Sequence, residues 1–513
     1  MALYGTDPQP GYLIPSSDRK PKLPFEYRFH KTPMPLLSQG LYFNESTLPN
    51  PCSNPDHGPP SRWVYYYARG LLQCALDLTP LSWNLVIRGY SSSSHPREAV
   101  LVFHEMRARG PSPNKFTFPF LLKACARTLD FEIGKQVQAY IVKNGTNSDI
   151  YVQNTLIHFY GSCGKILDAR QVFEEMSLRT VVSWTAIITA YVENLQYEES
   201  LKTFYLMRIC RFEPDQTTMV VLLSACAELG HLNKGRLFHA QVIANGFAMS
   251  VQLGTALVNM FAKCGNIDCA YRVFSIMPER NVWSWSAMII GLAQHGQAGE
   301  ALRLFSYMKH IKSVVPNYVT YLGVLSACTH AGLVEDGYRF FHDMVHVHKI
   351  EPMMTHYSAM VDTLGRNGRL EEAYKFITDM PIAADGVVWR TLLGACSIHD
   401  VRNAGDVREK VRKRLLELEP ARGENYVMVS NMYAKIGLWE EVVKVREVMR
   451  EEGLRKSAGE SSIEVGGLLY TFFCGDDSQG DCPHIYRLLD VLILHMKSTI
   501  GIDEGNSAFW LSD

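Results

Sequence analysis

No apolar run in this 513-residue sequence approaches the about 18 residues that a membrane-spanning helix needs. An excess of one charge is missing as well: 51 Lys+Arg face 52 Asp+Glu, for a net charge of −1. That excludes a polybasic binder driven by bulk charge alone and leaves room for a local basic stripe. None of the 12 cysteines stands in a Cys-x-x-Cys pair. Spread along so long a chain, they read as reduced core thiols in a non-secretory compartment. Hydrophobic residues are plentiful at 47%, against 20% charged, which excludes global disorder. Proline is sparse except at the start, where the first 60 residues hold 12 of the 24. Residues 1–62 show neither helical nor strand periodicity and read as an irregular leader or a targeting segment. Arg19, Lys20, Lys22, Arg28 and Lys31 favour targeting, whereas Asp7, Asp18, Glu26 and the prolines oppose an amphipathic transit helix.

From Trp63 onwards the sequence repeats itself. Trp83, Trp184 and Trp285 each follow a serine and lie 101 residues apart. Cys125, Cys226 and Cys328 each follow an alanine, and Cys163 and Cys264 each precede a glycine, on the same long period. Shorter units lie inside it. Trp83, Val86, Ile87 and Tyr90 stand at i, i+3, i+4 and i+7, as do Trp184, Ile187, Ile188 and Tyr191, and Trp285, Met288, Ile289 and Leu292. Each set is one apolar helix face. A second face follows, with Ala99, Val102, Phe103 and Met106 in one copy and Ala301, Leu304, Phe305 and Met308 in another. Breaker-rich turns such as Ser91–Pro96 and His295-Gly296 separate the two helices, and Pro113, Pro214 and Pro316 are expected to stop the second. One such hairpin of about 35 residues cannot bury its stripe alone, but a stack can. The expectation is an all-α fold: a right-handed α-solenoid of stacked helix-turn-helix hairpins with a long concave groove.

Hairpins of 35, 35 and 31 residues make up the 101-residue period. With segments such as VVSWTAIITAY from Val181, QTTMVVLLSACA from Gln216 and TALVNMFAKCGNIDCAYRVFSIMPERN from Thr255, the chain resembles the plant pentatricopeptide repeat family, PLS subclass. The resemblance implies nine motifs in P, L and S triplets: 80–114, 115–149, 150–180, 181–215, 216–250, 251–281, 282–317, 318–353 and 354–385. Residues 63–79 look like a partial S motif. VVWRTLLGACSIHD from Val387 and the run from Leu415 resemble the E extension, 386–457, followed by a degenerate E-plus segment, 458–500, and a loose end, 501–513. Related proteins often continue into a DYW deaminase domain, whose HxE and CxxC residues hold a zinc-bound water. No HxE plus CxxC set occurs here, and Cys474, Cys482 and His484 fit no zinc spacing. The resemblance therefore implies a non-catalytic chain without metal or cofactor. It would choose a cytidine in single-stranded organellar RNA for C-to-U editing, while a DYW-type deaminase or other editing partner acts in trans. Family frequency places it in the mitochondrion, with the chloroplast as the alternative.

In the resembled family the base readers are a motif's fifth and last residues. Carried over, Asn84 with Asn114 and Asn154 with Thr180 imply pyrimidines. Thr185 with Asp215 and Ser358 with Asp385 imply G, and Thr255 with Asn281 and Ser286 with Asn317 imply A. Short polar side chains suit this work, because they reach a Watson–Crick edge without filling the slot. The fifth residues of the L motifs, Pro119, Val220 and Leu322, offer no such bond. The implied element is 5′-Y-x-Y-G-x-A-A-x-G-3′, upstream of the edited C. Six pairs at about 1 kcal/mol each give about 6 kcal/mol, on the order of 10⁴-fold discrimination. Isolated Asn, Ser and Asp at hairpin ends are ordinary helix caps. Their recurrence at matched positions favours the reading role. Trp and Tyr on the apolar stripes, and Cys125, Cys226, Cys328 and Cys396, read as core, and the charge run Arg408–Arg414 reads as a solvated helix face. Two other functions share these features: a transcript-stabilising or splicing factor, and a protein–protein scaffold. Salt-dependent RNA affinity excludes the scaffold.

Overall fold

The computed structural model describes residues 79–473 except 312, 400, 457, 466 and 467, together with 69, 70, 72 and 491. The leader 1–62, most of the partial repeat 63–79, the end 501–513, and Cys474, Cys482 and His484 lie outside the described residues. The chain divides into two compact units, Met1–Thr128 and Leu129–Asp513.

The first unit holds α1 (Pro80–Ser92), α2 (Glu98–Ala108) and α3 (Thr117–Thr128). Trp83, Ile87 and Tyr90 on α1 are buried, as are Ala99, Val102, Phe103 and Met106 on α2. Each large side chain so buried contributes about 1.5–3 kcal/mol. Arg69 pairs with Glu98 at 2.6 Å and with Glu105, both on α2.

The second unit opens with α4 (Phe131–Lys143) and continues as a stack of helical hairpins. These are α5 (Ile150–Ser162) with α6 (Ile166–Glu175), α7 (Val181–Glu193) with α8 (Tyr197–Ile209), and α9 (Gln216–Leu229) with α10 (Leu232–Ala244). Then come α11 (Val251–Lys263) with α12 (Ile267–Ile276), α13 (Val282–Gln294) with α14 (Ala298–His310), and α15 (Tyr318–Ala331) with α16 (Val334–His342). The last are α17 (Met354–Arg366) with α18 (Leu370–Thr378), α19 (Gly386–Ile398) with α20 (Val401–Leu418), and α21 (Gly423–Lys435) with α22 (Trp439–Glu451). From α5 to α19 each first helix packs on the next first helix. This is an α-solenoid, as the apolar periodicity requires.

Close packing and side-chain straps set the spacing of the stack. A Cβ at Gly134 on α4 would stand 2.0 Å from the Phe159 ring of α5, so only glycine lets those helices approach. Three C-terminal cap residues reach back to the preceding first helix. Asn194 Nδ2 donates to Gly161 O at 2.9 Å, and His295 Nε2 and His399 Nε2 donate to Ala262 O at 2.7 Å and Arg366 O at 3.1 Å. Each strap adds a partner to a carbonyl in the last turn of the preceding first helix. Cys125, Cys226, Cys328 and Cys396 are buried core, and burial pushes the Cys328 thiol up to about 12 and the Cys396 thiol up to about 11.

The structure differs from the sequence reading at several places. Pro113, Pro214 and Pro316 do not stop the second helices, which end earlier, at Ala108, Ile209 and His310. The chain turns through positive φ at Gly110 (φ 108) and Arg211 (φ 61) after the first two. The prolines instead stand just before the capping residues Asn114, Asp215 and Asn317, where a fixed φ and a missing amide proton suit an extended entry. Arg408 is not solvated: it is buried beside Val407, and its Nη2 donates to Cys396 O at 3.3 Å. It shares the inward side of α20 with Val407, Val411 and Leu415. The unit 318–353 is one residue longer than 216–250, and a π turn at Asp343–Val347 takes up the extra residue. Segment 458–500 contributes the antiparallel strands β1 (Glu460–Val465) and β2 (Leu468–Phe473), with Glu460 opposite Phe473 and Val465 opposite Leu468. Ile463, Val465, Tyr470 and Thr471 are the β-branched and aromatic types that favour strands.

Candidate nucleic-acid interface

The fifth residue of each P or S motif lies one turn into a first helix, and the last residue of that motif caps the next first helix. Asp215 Oδ1 accepts from Thr218 N at 2.8 Å, Asn317 Oδ1 from Thr320 N at 3.0 Å, and Thr180 Oγ1 from Ser183 N at 3.4 Å. Asn281 Oδ1 accepts from the amides of Trp283 and Ser284, Asp385 Oδ1 from those of Val387 and Val388, and Asn114 Oδ1 from that of Phe116. The capping role expected of such residues is therefore real. It occupies one oxygen; Asn and Asp keep a second polar atom for other partners, whereas Thr180 has only its hydroxyl.

Two of the six pairs meet directly. Asn84 Nδ2 donates to Asn114 Oδ1 at 3.1 Å, and Ser286 Oγ donates to Asn317 Oδ1 at 3.4 Å. Two more meet through a hydroxyl. Thr218 Oγ1 lies 2.7 Å from Thr185 Oγ1 and donates to Asp215 Oδ1 at 2.8 Å. Ser284 Oγ lies 2.7 Å from Thr255 Oγ1 and donates to Asn281 Oδ1 at 3.1 Å. The same hydroxyl attends the direct pairs. Thr117 Oγ1 donates to Asn84 Oδ1 at 2.7 Å, and Thr320 Oγ1 lies 2.7 Å from Ser286 Oγ and 3.0 Å from Asn317 Oδ1. The last two pairs are not joined. Thr180 bonds Ser183, and the buried Asn154 Oδ1 has no partner among the described residues. Asp385 is followed by Val388 where the others have a hydroxyl, and no hydrogen bond joins it to Ser358 among the described residues.

Sequence reasoning missed Thr117, Thr218, Ser284 and Thr320. Their signal was a hydroxyl three residues after the last residue of a motif, in a helix turn otherwise given to the core. It also missed the exposed apolar residues that recur at the second position of repeat units: Leu81, Phe116, Tyr151, Val182, Trp283 and Val387. At the L motifs the fifth residues Pro119, Val220 and Leu322 lie on α3, α9 and α15 and bring no polar side-chain atom. Four of the six fifth residues are well covered, since Asn84, Asn154 and Thr185 are buried and Ser286 is 1% exposed, while Thr255 and Ser358 are half-buried.

One buried imidazole belongs to the same layer. His356 occupies the third position of α17; its Nδ1 accepts from Met353 N at 3.0 Å and its Nε2 donates to Tyr318 O at 2.8 Å. Burial lowers its pKa below the ordinary histidine value, so the ring is neutral in the fold. Among the described residues no group of His, Cys, Asp and Glu is arranged to hold a metal ion, and no helix is long and apolar enough to cross a membrane.

Stacked two-helix units with a polar pair repeated at fixed positions define a helical-repeat protein. Residues 80–127 match the PPR repeat family. Residues 154–180, 182–212, 255–282, 283–312, 319–346 and 355–381 match the PPR repeat, and 403–464 match the E motif. A pentatricopeptide repeat-containing protein of Arabidopsis thaliana is 54% identical over 425 residues, which are 83% of this chain and 84% of that one. Another from the same plant, named chloroplastic/mitochondrial, is 41% identical over 429 residues, 81% of this chain and 67% of its own. The chain belongs to the pentatricopeptide repeat family. In fold it is similar to the maize protein PPR10, solved in complex with an 18-nt psaJ RNA element, with a TM-score of 0.60 and 17% identity. That match covers 75% of this chain and 58% of the other.

Proposed function

We propose that this chain binds single-stranded RNA by sequence, reading one base at each P or S motif, as a member of the PLS subclass. The observation that carries the reading is the recurrence of one polar constellation (fifth residue, last residue, bridging hydroxyl) at Asn84, Thr185, Thr255 and Ser286, while the L motifs bring apolar fifth residues. A scaffold for peptides has no need of such a period. The exposed Phe116, Tyr151 and Trp283 add ring faces close in sequence to the readers, on which unstacked bases can lie. PPR10, which shares the fold, was solved with an RNA element bound, and that supports the same reading.

The finer proposal is that the chain selects a cytidine for C-to-U editing in an organelle, with a DYW-type deaminase or another editing partner supplied in trans. The E-motif match supports it, as do relatives named mitochondrial or chloroplastic. The mitochondrion is the preferred compartment and the chloroplast the alternative. Two measurements test the whole. Purified protein should bind RNA carrying Y-x-Y-G-x-A-A-x-G far more tightly than permuted RNA of equal composition. Organellar RNA from a line lacking the protein should lose conversion at one or a few cytidines downstream of that element. Sequence-specific binding with unchanged editing and altered transcript ends or splicing would replace the editing role by transcript maturation. Absence of RNA binding would leave the scaffold.

A further inference from the structure

The bridging hydroxyl does more than fill a gap. We infer that the hydroxyl three residues past the last residue of a motif — Thr117, Thr218, Ser284 or Thr320 — is a positioning residue that fixes which way the fifth residue presents its hydrogen-bonding atoms. The inference deepens the base-reading proposal above and rests on it.

Thr185, Thr218 and Asp215 give the sharpest case. A carboxylate only accepts, so the Thr218 proton goes to Asp215 Oδ1, 2.8 Å away. Thr218 then has only lone pairs to offer Thr185 at 2.7 Å, and the Thr185 proton must point at Thr218. What Thr185 turns outward is a lone pair. Thr185 and Asp215 thus form a purely accepting edge, which fits the adjacent N1–H and N2–H₂ donors of guanine and opposes the N1 acceptor of adenine. Without Thr218 the Thr185 hydroxyl rotates freely and can donate as readily as accept.

The other constellations follow the same logic with different outcomes. Thr117 donates to Asn84 Oδ1 at 2.7 Å while Asn84 Nδ2 donates to Asn114. Both ends of the amide are thereby assigned, and one N–H remains to offer. At Ser286 the last residue is the neutral Asn317, and Ser286 also has Val282 O within 2.8 Å. Thr320 donates to Asn317 Oδ1, so the serine proton again points inward, to Thr320 or to Val282 O, and the donor that adenine N1 requires is left to the amide Nδ2 of Asn317. At Ser358 and Asp385 the position holds Val388, which is fully buried, so nothing orients the serine from that side.

The test compares RNAs that differ only in G or A opposite the Thr185–Asp215 repeat, with a second pair varied opposite Ser286–Asn317 as the control. In Thr218→Val the preference for G is expected to fall about tenfold. The control preference and the thermal midpoint should hold, and Thr218→Ser should keep the wild-type ratio. Val388→Thr should raise discrimination opposite Ser358–Asp385. An unchanged G preference in Thr218→Val, or no gain in Val388→Thr, would overturn the inference and leave base reading intact. A uniform loss of all preferences together with a lower thermal midpoint in Thr218→Val would reduce the hydroxyl to a structural role. If the wild-type chain has no base preference at either site, the reading itself falls and the inference with it.

Discussion

Ser286 illustrates the limits on a single reader. A side chain 1% exposed cannot reach out to a base, so under the proposed reading the base edge would have to enter the slot beside it. Affinity therefore has to come from neighbours that are exposed, and Trp283 is the largest of them, in edge contact with Tyr318 at 6.3 Å between ring centroids. Trp283→Ala is expected to cost about 1–3 kcal/mol of RNA affinity while leaving base preferences intact, measured by titration against wild type. His356 sets a pH dependence of the fold. Its folded pKa lies below the ordinary value of 6.5, so the unfolded chain binds the proton first as pH falls. Stability from the neutral ring is present above about pH 6.5 and is lost on acidification below it. The thermal midpoint should drop between pH 7 and 5, and His356→Asn should flatten that drop. The fifth and last residues were legible in the sequence because they repeat on the 101-residue period. The bridging hydroxyls were not, because Thr185 and Thr218 belong to neighbouring repeats and meet only once the two first helices stack. Arg408 misled for a related reason: its charged neighbours hid the Val407, Val411, Leu415 stripe, whose inward edge it shares.

At the level of helices, periodicity carried the reading well. Trp184, Ile187, Ile188 and Tyr191 lie where the i, i+3, i+4, i+7 pattern put them, facing the core. Helix ends were less legible, since Pro214 marks the approach to the next cap and the turn at Arg211 is what ends α8. The β1–β2 pair carries strand-forming residues, yet in a chain of helical hairpins no repeat announces it. Contact between helices sets the sharpest demand on sequence at Gly134. A methyl group there would meet a rigid, buried ring, so Gly134→Ala should destabilise the second unit by about 1–3 kcal/mol, read as a lower midpoint in urea or heat. An intact midpoint would mean that Phe159 has room to turn.

On the scale of the whole molecule, charge is balanced at −1, so the proposed attraction to RNA would have to be local. If each of the six base-reading pairs is accompanied by one neutralised phosphate, log K should fall with log salt at a slope of about −4. A salt-insensitive affinity would be the contrary result. The solenoid makes the chain a series of similar junctions, and at five of them one residue (Thr180, Asp215, Asn281, Asn317 or Asp385) accepts from the opening amides of the next helix. If these caps read bases as proposed, helix chemistry writes the alphabet before any base arrives, since Asn, Asp, Ser and Thr are the side chains that cap well. On that reading, substitution within the alphabet would respell the RNA text at one letter while the helix keeps its start. Substitution outside it, such as Asp215→Ala, removes the cap and should erase the letter and fray the helix together. A lineage of proteins that read RNA in this way could therefore drift between targets one letter at a time, without passing through forms that fail to fold.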